Sequence, residues 1–473
     1  MNSYLFYDIE SSGLNKAFDQ VMQFAAIRTD MEFNELERHN FYVQLRPDVI
    51  ISPQASITHH ISIADCMDGL CEFEAIQKVH EMMNEPGTIS LGYNTLGFDD
   101  EFLRFSFYRN LLPPYTHQYA QGCSRMDLLP MITVYRLFNP KVLEWPELNG
   151  KPSLKLEYIS SLNQLATGQA HDALVDVEAT IALAKRLAAE GPMWEYLKDC
   201  FNKSIDEQRL QKLPVAFQGS IEEHRLGLMI SPKYGSDRMY QSPLLSIGKS
   251  RPYSNQTLWL RLDLPELQET TLENIDETTW VERKRLGEPG IILPPLPRYW
   301  AKLSDERKIL VEANKTWLQE NPVIFEAIIR YHQEFKYPEI PDLDTDAALY
   351  QNGFLSRDEQ ALSRKFQHAG AEQRLEIIGQ FPSAAMRTLA SRLLFRNYPE
   401  EAPSMMVEEF ALYLEQVNPE GDQAALVDYK GGRRTTPLVA LHEITELKEQ
   451  GDLDLEQLKL LEELEEYIQI EFS

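Results

Sequence analysis

The sequence predicts an α/β domain of about 195 residues, then a smaller β-rich domain, then an all-helical C-terminal region. Three observations carry that reading. Apolar β-type runs come first and then alternate with helical periodicity over residues 1–198. Pro, Gly and Ser become frequent over 225–300, between short apolar runs such as Thr257-Leu-Trp-Leu-Arg-Leu262. From about residue 355 the apolar spacing is helical, with few strand signals.

The elements follow in order. Residues 4–9, 21–28 and 40–45 read as strands, because their apolar and β-branched or aromatic residues alternate or run together. Helical spacing appears at about 72–84, 99–110, 124–138, 153–163 and 172–189, with a short strand at 88–93 between the first two helices. A Pro-rich stretch runs from Pro289 to Pro297. Helices resume near 304–335, and a linker, Tyr337-Pro-Glu-Ile-Pro-Asp-Leu-Asp344, follows. These breaks divide the chain at 1–198, 199–350 and 351–473. No internal repeat is visible.

Composition narrows the class. The chain has 473 residues, 43% hydrophobic and 25% charged, which are ordinary globular values that exclude wholesale disorder. No apolar run approaches the ~18 residues of a membrane-spanning helix. The first residues, Met-Asn-Ser-Tyr-Leu-Phe-Tyr-Asp, lack the basic start of a signal peptide, so a cytoplasmic protein is expected. Cysteines stand at 66, 71, 123 and 200, and only the first two are close. That spacing completes no zinc set and points to free thiols.

The net charge of −27 argues at first sight against a nucleic-acid partner. Its distribution weakens that inference. Residues 443–473 carry 11 acids and two lysines. Residues 224–261 carry six basic residues (Arg225, Lys233, Arg238, Lys249, Arg251, Arg261) and one acid, Asp237, interleaved with Tyr234, Tyr240, Tyr253 and Trp259. Cations and rings together suit a single-strand groove, the cations for phosphates and the rings for bases. The same composition also fits a solvated, loop-rich surface around a partly buried Trp.

Four separated pieces hold the acids that matter. Asp8 and Glu10 lie two apart on a strand and so share a face; burying two like charges side by side is costly without a compensating cation. Asp99, in Phe98-Asp-Asp-Glu101, opens a helix at the C-terminal end of a strand, where sites of α/β proteins lie; Asp100 and Glu101 fit ordinary first-turn acids that favour the helix dipole. His171-Asp172-Ala-Leu-Val-Asp176 places a histidine just ahead of a helix that carries Asp176, with Asp172 as the N-cap. Ser124-Arg125-Met-Asp127 at a helix start reads as a structural Arg–Asp pair. Together Asp8, Glu10, Asp99 and Asp176 form an all-oxygen set suited to Mg2+ or Mn2+. Two such ions clamp the oxygens of an in-line phosphoryl displacement, and His171 would take the proton from water.

The order Asp-x-Glu, Asp, His-x4-Asp resembles the DEDD superfamily of 3′→5′ exonucleases in its His-containing branch. Gln23-Phe-Ala-Ala-Ile-Arg-Thr-Asp30, Leu91-Gly-Tyr-Asn94, Phe98-Asp-Asp-Glu101, Phe107-Tyr-Arg-Asn110, Ser124-Arg-Met-Asp-Leu-Leu129 and Ala170-His-Asp-Ala173 narrow the resemblance to the bacterial exonuclease I family. So do Asp346-Ala-Ala-Leu-Tyr350, Asn352-Gly-Phe354 and Leu393-Leu-Phe395. The resemblance is dense over 1–190, sparse over 200–340 and patchy beyond. It implies a ribonuclease-H-like nuclease domain, an SH3-like β domain and a helical domain. It implies hydrolysis of single-stranded DNA from the 3′ end to 5′-mononucleotides, in DNA repair and recombination. Asp8, Glu10, Asp99 and Asp176 would hold two Mg2+ ions, with Mn2+ as a substitute, and His171 would be the general base. Glu10 and Ser11 would meet the substrate; Ser11 stands where the family often has Thr and keeps the hydroxyl. The family also meets the acidic C-terminal tail of single-strand DNA-binding protein, and a monomer is expected.

Beyond the family pattern, Lys155, Arg225, Lys233 and Arg238 are expected to contact DNA; the last three come from the local charge count. Two other readings compete. One is an RNA-directed exoribonuclease of the same superfamily, which the extra ~270 residues disfavour. The other is a non-catalytic single-strand-binding scaffold, which the complete carboxylate set disfavours. Gly92-x4-Gly97 is followed by Phe98 where a phosphate-binding loop needs Lys.

Overall fold

The computed structural model describes residues 2–168, 172–219, 223–419 and 425–472. The chain forms two compact units, one of residues 1–125, 167–178 and 339–473, the other of 126–166 and 179–338.

The first unit is built on a mixed sheet of β1 (Ser3–Ser11), β2 (Val21–Thr29), β3 (Glu35–Tyr42), β4 (Thr88–Gly92) and β5 (Ser124–Asp127), in the order β3-β2-β1-β4-β5. β1 runs antiparallel to β2 and parallel to β4. The α/β expectation for the N-terminal part is met. Alternation along β1 sends Leu5, Tyr7 and Ile9 into one core with Val21, Phe24, Val79, Phe102 and Phe107. Asp8 and Glu10 therefore share the opposite face. The helices Glu72–Met83 and Asp99–Arg109 lie within one residue of their sequence positions.

Four elements differ from expectation. The third strand spans Glu35–Tyr42, earlier than 40–45, because its register against β2 starts at Glu35 and only Val43 continues, as a bridge to Leu70. Residues 124–127 form β5, not helix; Asp127 then caps the helix Leu128–Phe138 by accepting from Leu129 N at 2.9 Å. The short helices Pro53–His59 and Ile63–Met67 carried no usable period in so few residues.

The helices of 357–471 complete this unit. Phe366, Phe381, Leu389, Leu393 and Leu394 pack in one core with Phe18, Phe73, Phe105 and Tyr108. A second core joins Met22, Ile50, Ile51 and Ile57 to Phe410, Tyr413, Ile444, Leu461 and Leu464. The helical region thus shares its apolar interior with the sheet-bearing segment.

The second unit holds the β ribbon β6 (Glu147–Leu148) and β7 (Lys151–Pro152). Its main element is an antiparallel sheet of β8 (Val215–Gln218), β9 (Glu223–Ile230), β10 (Gln241–Lys249), β11 (Gln256–Arg261), β12 (Val281–Arg285) and β13 (Ile291–Leu293). The path is β12-β11-β10-β9-β13, with β8 on β9. The helices Asp305–Glu320 and Pro322–Glu334 cover one face, burying Val311, Leu318, Phe325 and Ile328 against Leu245, Ile247, Leu258 and Leu260. All four cysteines are free. No helix among the described residues is long and apolar enough to cross a membrane.

Candidate active site

The site grows from the end of β1. Pairing with β2 shifts register between Glu10 and Ser11, and such irregularities re-aim strand ends. The chain then turns sharply. A Cβ on Gly13 would lie 2.4 Å from Asp19 Oδ2, so a larger residue there would displace the Asp19 carboxylate. Asp19 in turn accepts from Asn15 N at 2.7 Å. The hydroxyl of Ser11 is buried and donates to Gly13 O at 2.8 Å, which commits it to the turn.

Asp99 comes from the loop after β4. A Cβ on Gly92 would lie 2.8 Å from Tyr7 O, so glycine allows that strand end to approach β1. Asp99 opens its helix as expected, is 6% exposed, and its Oδ1 accepts from Ile9 N at 3.3 Å. Asp176 is set by the start of the helix Ala173–Ala188. Asp172 accepts from Leu174 N at 2.9 Å, the capping role expected of it. Gln23, the β2 partner of Glu10, receives Ala173 N at 3.4 Å. His171 lies outside the described residues.

Ligand-type oxygens of Asp8, Glu10 and Asp176 lie within 4.8 Å of one another, and all three side chains are half-buried. Burial, then Asp99, Glu10 and Asp176, push the Asp8 carboxyl well above its usual range. Burial, then Asp176, Asp99 and Asp172, push Glu10 up to about 9. Converging anions of this kind are stable when a cation takes their charge. The donors are all carboxylate oxygens, which suits a hard divalent ion and not a soft one. The residues fit a divalent metal site.

That charge has a consequence for stability. Glu10 holds its proton more tightly folded than unfolded, so metal-free stability falls as pH rises from the ordinary carboxylate range toward 9. Glu10→Gln should remove this loss. At pH 8 in EDTA it should stabilise the protein by about 1 kcal/mol or more, at ~1.4 kcal/mol per pKa unit, and flatten the pH slope of its melting temperature. A slope equal to that of the parent protein would contradict the assignment.

Asp100 plays a role the sequence reading missed. It is fully buried, with Arg125 at 2.6 Å, Arg104 at 3.1 Å and His117 at 2.9 Å. Burial opposes its charge, but Arg125, Arg104 and His117 override it and hold the carboxyl far below its usual range. Arg125 meets Asp100, and Asp127 caps the following helix. The knot anchors the turn that presents Asp99. Its signal in the sequence was the pair Asp99-Asp100 itself, two adjacent acids that a helix dipole alone does not require.

The basic, aromatic stretch resolves less simply. Tyr234, Tyr240 and Trp259 are buried and offer no stacking face. Lys233 pairs with Glu282, Arg225 with Glu223, and Arg238 with Asp263 at 3.0 Å. Lys155 is exposed and lies 3.3 Å from Glu157.

Comparison with known proteins agrees with this geometry. The Exonuclease (RNase_T) family model matches residues 5–184. Exodeoxyribonuclease I of Haemophilus influenzae is 35% identical over 215 residues, which take in 45% of each chain. Exodeoxyribonuclease I of Escherichia coli is 30% identical over 387 residues, covering 76% of this chain and 78% of that one. Among solved structures, E. coli exonuclease I in complex with a dA16 oligonucleotide superposes with a TM-score of 0.84 at 25% identity over the whole of both chains. A moderately thermophilic exonuclease I from Methylocaldum szegediense does so with a TM-score of 0.84 at 27% identity. Carboxylates from β1 and the Asp176 helix thus converge, with the charge of Asp99 beside them, in a chain whose likeness to E. coli exodeoxyribonuclease I runs over three quarters of its length, and the chain belongs to the exodeoxyribonuclease I family.

Proposed function

We propose that the protein is a 3′→5′ exodeoxyribonuclease that degrades single-stranded DNA to 5′-mononucleotides in repair and recombination. The observation that carries this reading is the carboxylate cluster of Asp8, Glu10 and Asp176 with Asp99 beside it, in a member of this family. The four carboxylates would hold two Mg2+ ions, or Mn2+ in their place. When bound, such ions supply charge stabilisation for in-line displacement at phosphorus.

The chain's own residues do the rest. A ring nitrogen of His171 takes the proton from the attacking water. The Asp100 knot keeps the first turn of the Asp99 helix fixed, so that Asp99 needs no rearrangement as charge develops. Glu10 and the backbone of Ser11, whose hydroxyl is held by Gly13 O, lie at the bulged end of β1 where the terminal nucleotide sits. Lys155, Arg225, Lys233 and Arg238 take backbone phosphates. The pair of Lys155 with Glu157 is weak and exchanges readily for phosphate, whereas Arg238 and Lys233 have largely buried partners in Asp263 and Glu282, and Arg225 also donates to Leu213 O. Replacing Arg225, Lys233 and Arg238 with Glu should weaken single-strand binding and lower its salt slope by roughly one to three units. Unchanged binding and slope would remove these residues from the DNA path.

Residues 1–198 read as a ribonuclease-H-like nuclease domain, 199–350 as an SH3-like domain with flanking helices, and 351–473 as the helical domain. The strand order β3-β2-β1-β4-β5 and the six-stranded antiparallel sheet support the first two. A monomeric, cytoplasmic enzyme that meets the tail of single-strand DNA-binding protein completes the reading. The exoribonuclease and scaffold alternatives are disfavoured by the named relatives and by the complete carboxylate set.

Digestion of one oligonucleotide labelled at its 3′ or its 5′ end, with Mg2+, tests the function. The 3′ label should be released first as a mononucleotide, and Asp176→Ala should be strongly impaired. Release from the 5′ end first, or undiminished activity in the variant, would overturn it.

A further inference from the structure

The sequence groups Tyr253 with Tyr234, Tyr240 and Trp259, but the structure separates it from them. Those three rings are buried, whereas Tyr253 joins an aromatic group at the end of the helix Pro322–Glu334. Its ring centroid lies 5.1 Å from that of Tyr337, tilted by 51°. Its hydroxyl accepts from Tyr337 N at 3.0 Å. Phe335 meets Tyr337 edge-on at 5.5 Å, and the Arg283 guanidinium lies 4.4 Å over the Phe335 ring. Arg283 also donates to His332 O at 3.2 Å, so it fixes Phe335 from below.

The group is organised but not covered. Tyr337 is 49% exposed and Tyr331 is 40% exposed. Two cations flank the rings. Arg251 is two residues from Tyr253, and its only ion pair among the described residues is with the exposed Glu334, at 2.5 Å. Such a pair contributes little in water and yields to a phosphate. Lys336, between Phe335 and Tyr337, is exposed and has no ion pair among the described residues. Partly exposed rings held by their neighbours, beside exposed cations, are what single-strand recognition requires, because every base has a π-face and every linkage an anion.

We infer that Tyr253 and Tyr337 form a base-stacking platform for single-stranded DNA, with Arg251 and Lys336 taking the phosphates on either side. The inference rests on the proposed function and names a substrate subsite for it. The platform is sequence-tolerant, since stacking does not read base edges.

Anisotropy of a fluorescein-labelled oligothymidine in EDTA measures binding without hydrolysis. Tyr337→Ala should raise Kd about tenfold, the order expected for one lost base–ring stack. Tyr337→Phe should bind like the parent protein, because the ring is kept. Arg251→Glu with Lys336→Glu should reduce the salt slope by about one to two units, and this pair tests the site even if the alanine variant melts early. Parent-like binding by both Tyr337→Ala and the double variant would overturn the inference. So would a Tyr337→Phe variant as weak as the alanine one. Failure of the proposed function is a separate result: the parent protein would then not release nucleotides from the 3′ end at all.

Discussion

Asp176→Ala and Asp8→Asn should each lower the rate of nucleotide release from a single-stranded 3′ end by at least about 10²–10³-fold, the scale seen when one preorganised electrostatic group is removed from a reacting centre. The expectation follows from convergence. Asp8, Glu10 and Asp176 present oxygens within 4.8 Å of one another, so no neighbour is spare. Binding of the same oligonucleotide in EDTA should be unchanged or tighter, since each variant removes a negative charge near a polyanion. The metal-free fold should gain stability, since Asp8 is raised by burial and by three like charges. Asp100→Asn provides the contrast. Asp100 has two arginine partners, a hydrogen bond to His117 and no solvent exposure, so its loss should destabilise the protein as well as slow it. A single-turnover rate with saturating enzyme, beside a melting curve for each variant, separates the two behaviours. Parent-like turnover in Asp176→Ala would place the chemistry elsewhere.

The contrast between Asp99 and Asp100 shows what could be read before the structure. The carboxylates that face the site were legible because strand period and motif order are local: Asp8 and Glu10 share a face by alternation alone, and Asp99 opens a helix after a strand. The adjacency of Asp99 and Asp100 hinted at a role for Asp100, but its partners were not legible. Its partners Arg125 and His117 lie 25 and 17 residues away, and no period links them. The same limit applies to the basic stretch 224–261. Counting charges found a positive segment, but β-sheet packing turned three of its four rings inward and gave most of its cations acidic partners. Tyr253, the fourth ring, is only half-buried and packs beside Tyr337, 84 residues on. The helices beyond residue 355 were visible from their period. That they share a core with the nuclease sheet was not, because shared burial is a long-range property.

Arg396→Ala should destabilise the protein by about 3–5 kcal/mol, the cost of leaving buried carboxylates without their cation. Arg396 sits on the helix Ala384–Asn397, with Nη2 2.8 Å from Asp48 and 2.6 Å from Asp346, all three buried. Arg46 lies 3.4 Å from Asp48 and 3.1 Å from Glu72; Arg392 lies 3.0 Å from Asp346. Arg434 donates to the Asp48 carbonyl and, at 2.8 Å, to Tyr413 Oη. Burial alone would raise both aspartates, but Arg396 with Arg46 and Arg434 holds Asp48 well below its usual range, and Arg396 with Arg392 does the same for Asp346. Depressed carboxylates stabilise above their unfolded pKa of about 3.9 and lose that contribution as pH falls further. The parent protein should therefore lose stability steeply below about pH 4, and Arg396→Ala should lose less there, having less to lose. Arg396→Lys should recover only part of the deficit, since one ammonium cannot bridge two carboxylates as the planar guanidinium does. Urea titrations at pH 7 and at about pH 3 measure both effects. The functional consequence concerns the ends of the network. Residues 46–48 follow the strands that carry the catalytic face, whereas 346, 396 and 434 belong to the helical region. A chain ending at residue 338 would expose Asp48 together with the apolar residues that Phe366, Leu393, Phe410 and Leu461 cover. Such a fragment should fail to fold as an active nuclease, even though every catalytic carboxylate lies within it; full activity in the fragment would show the network to be dispensable.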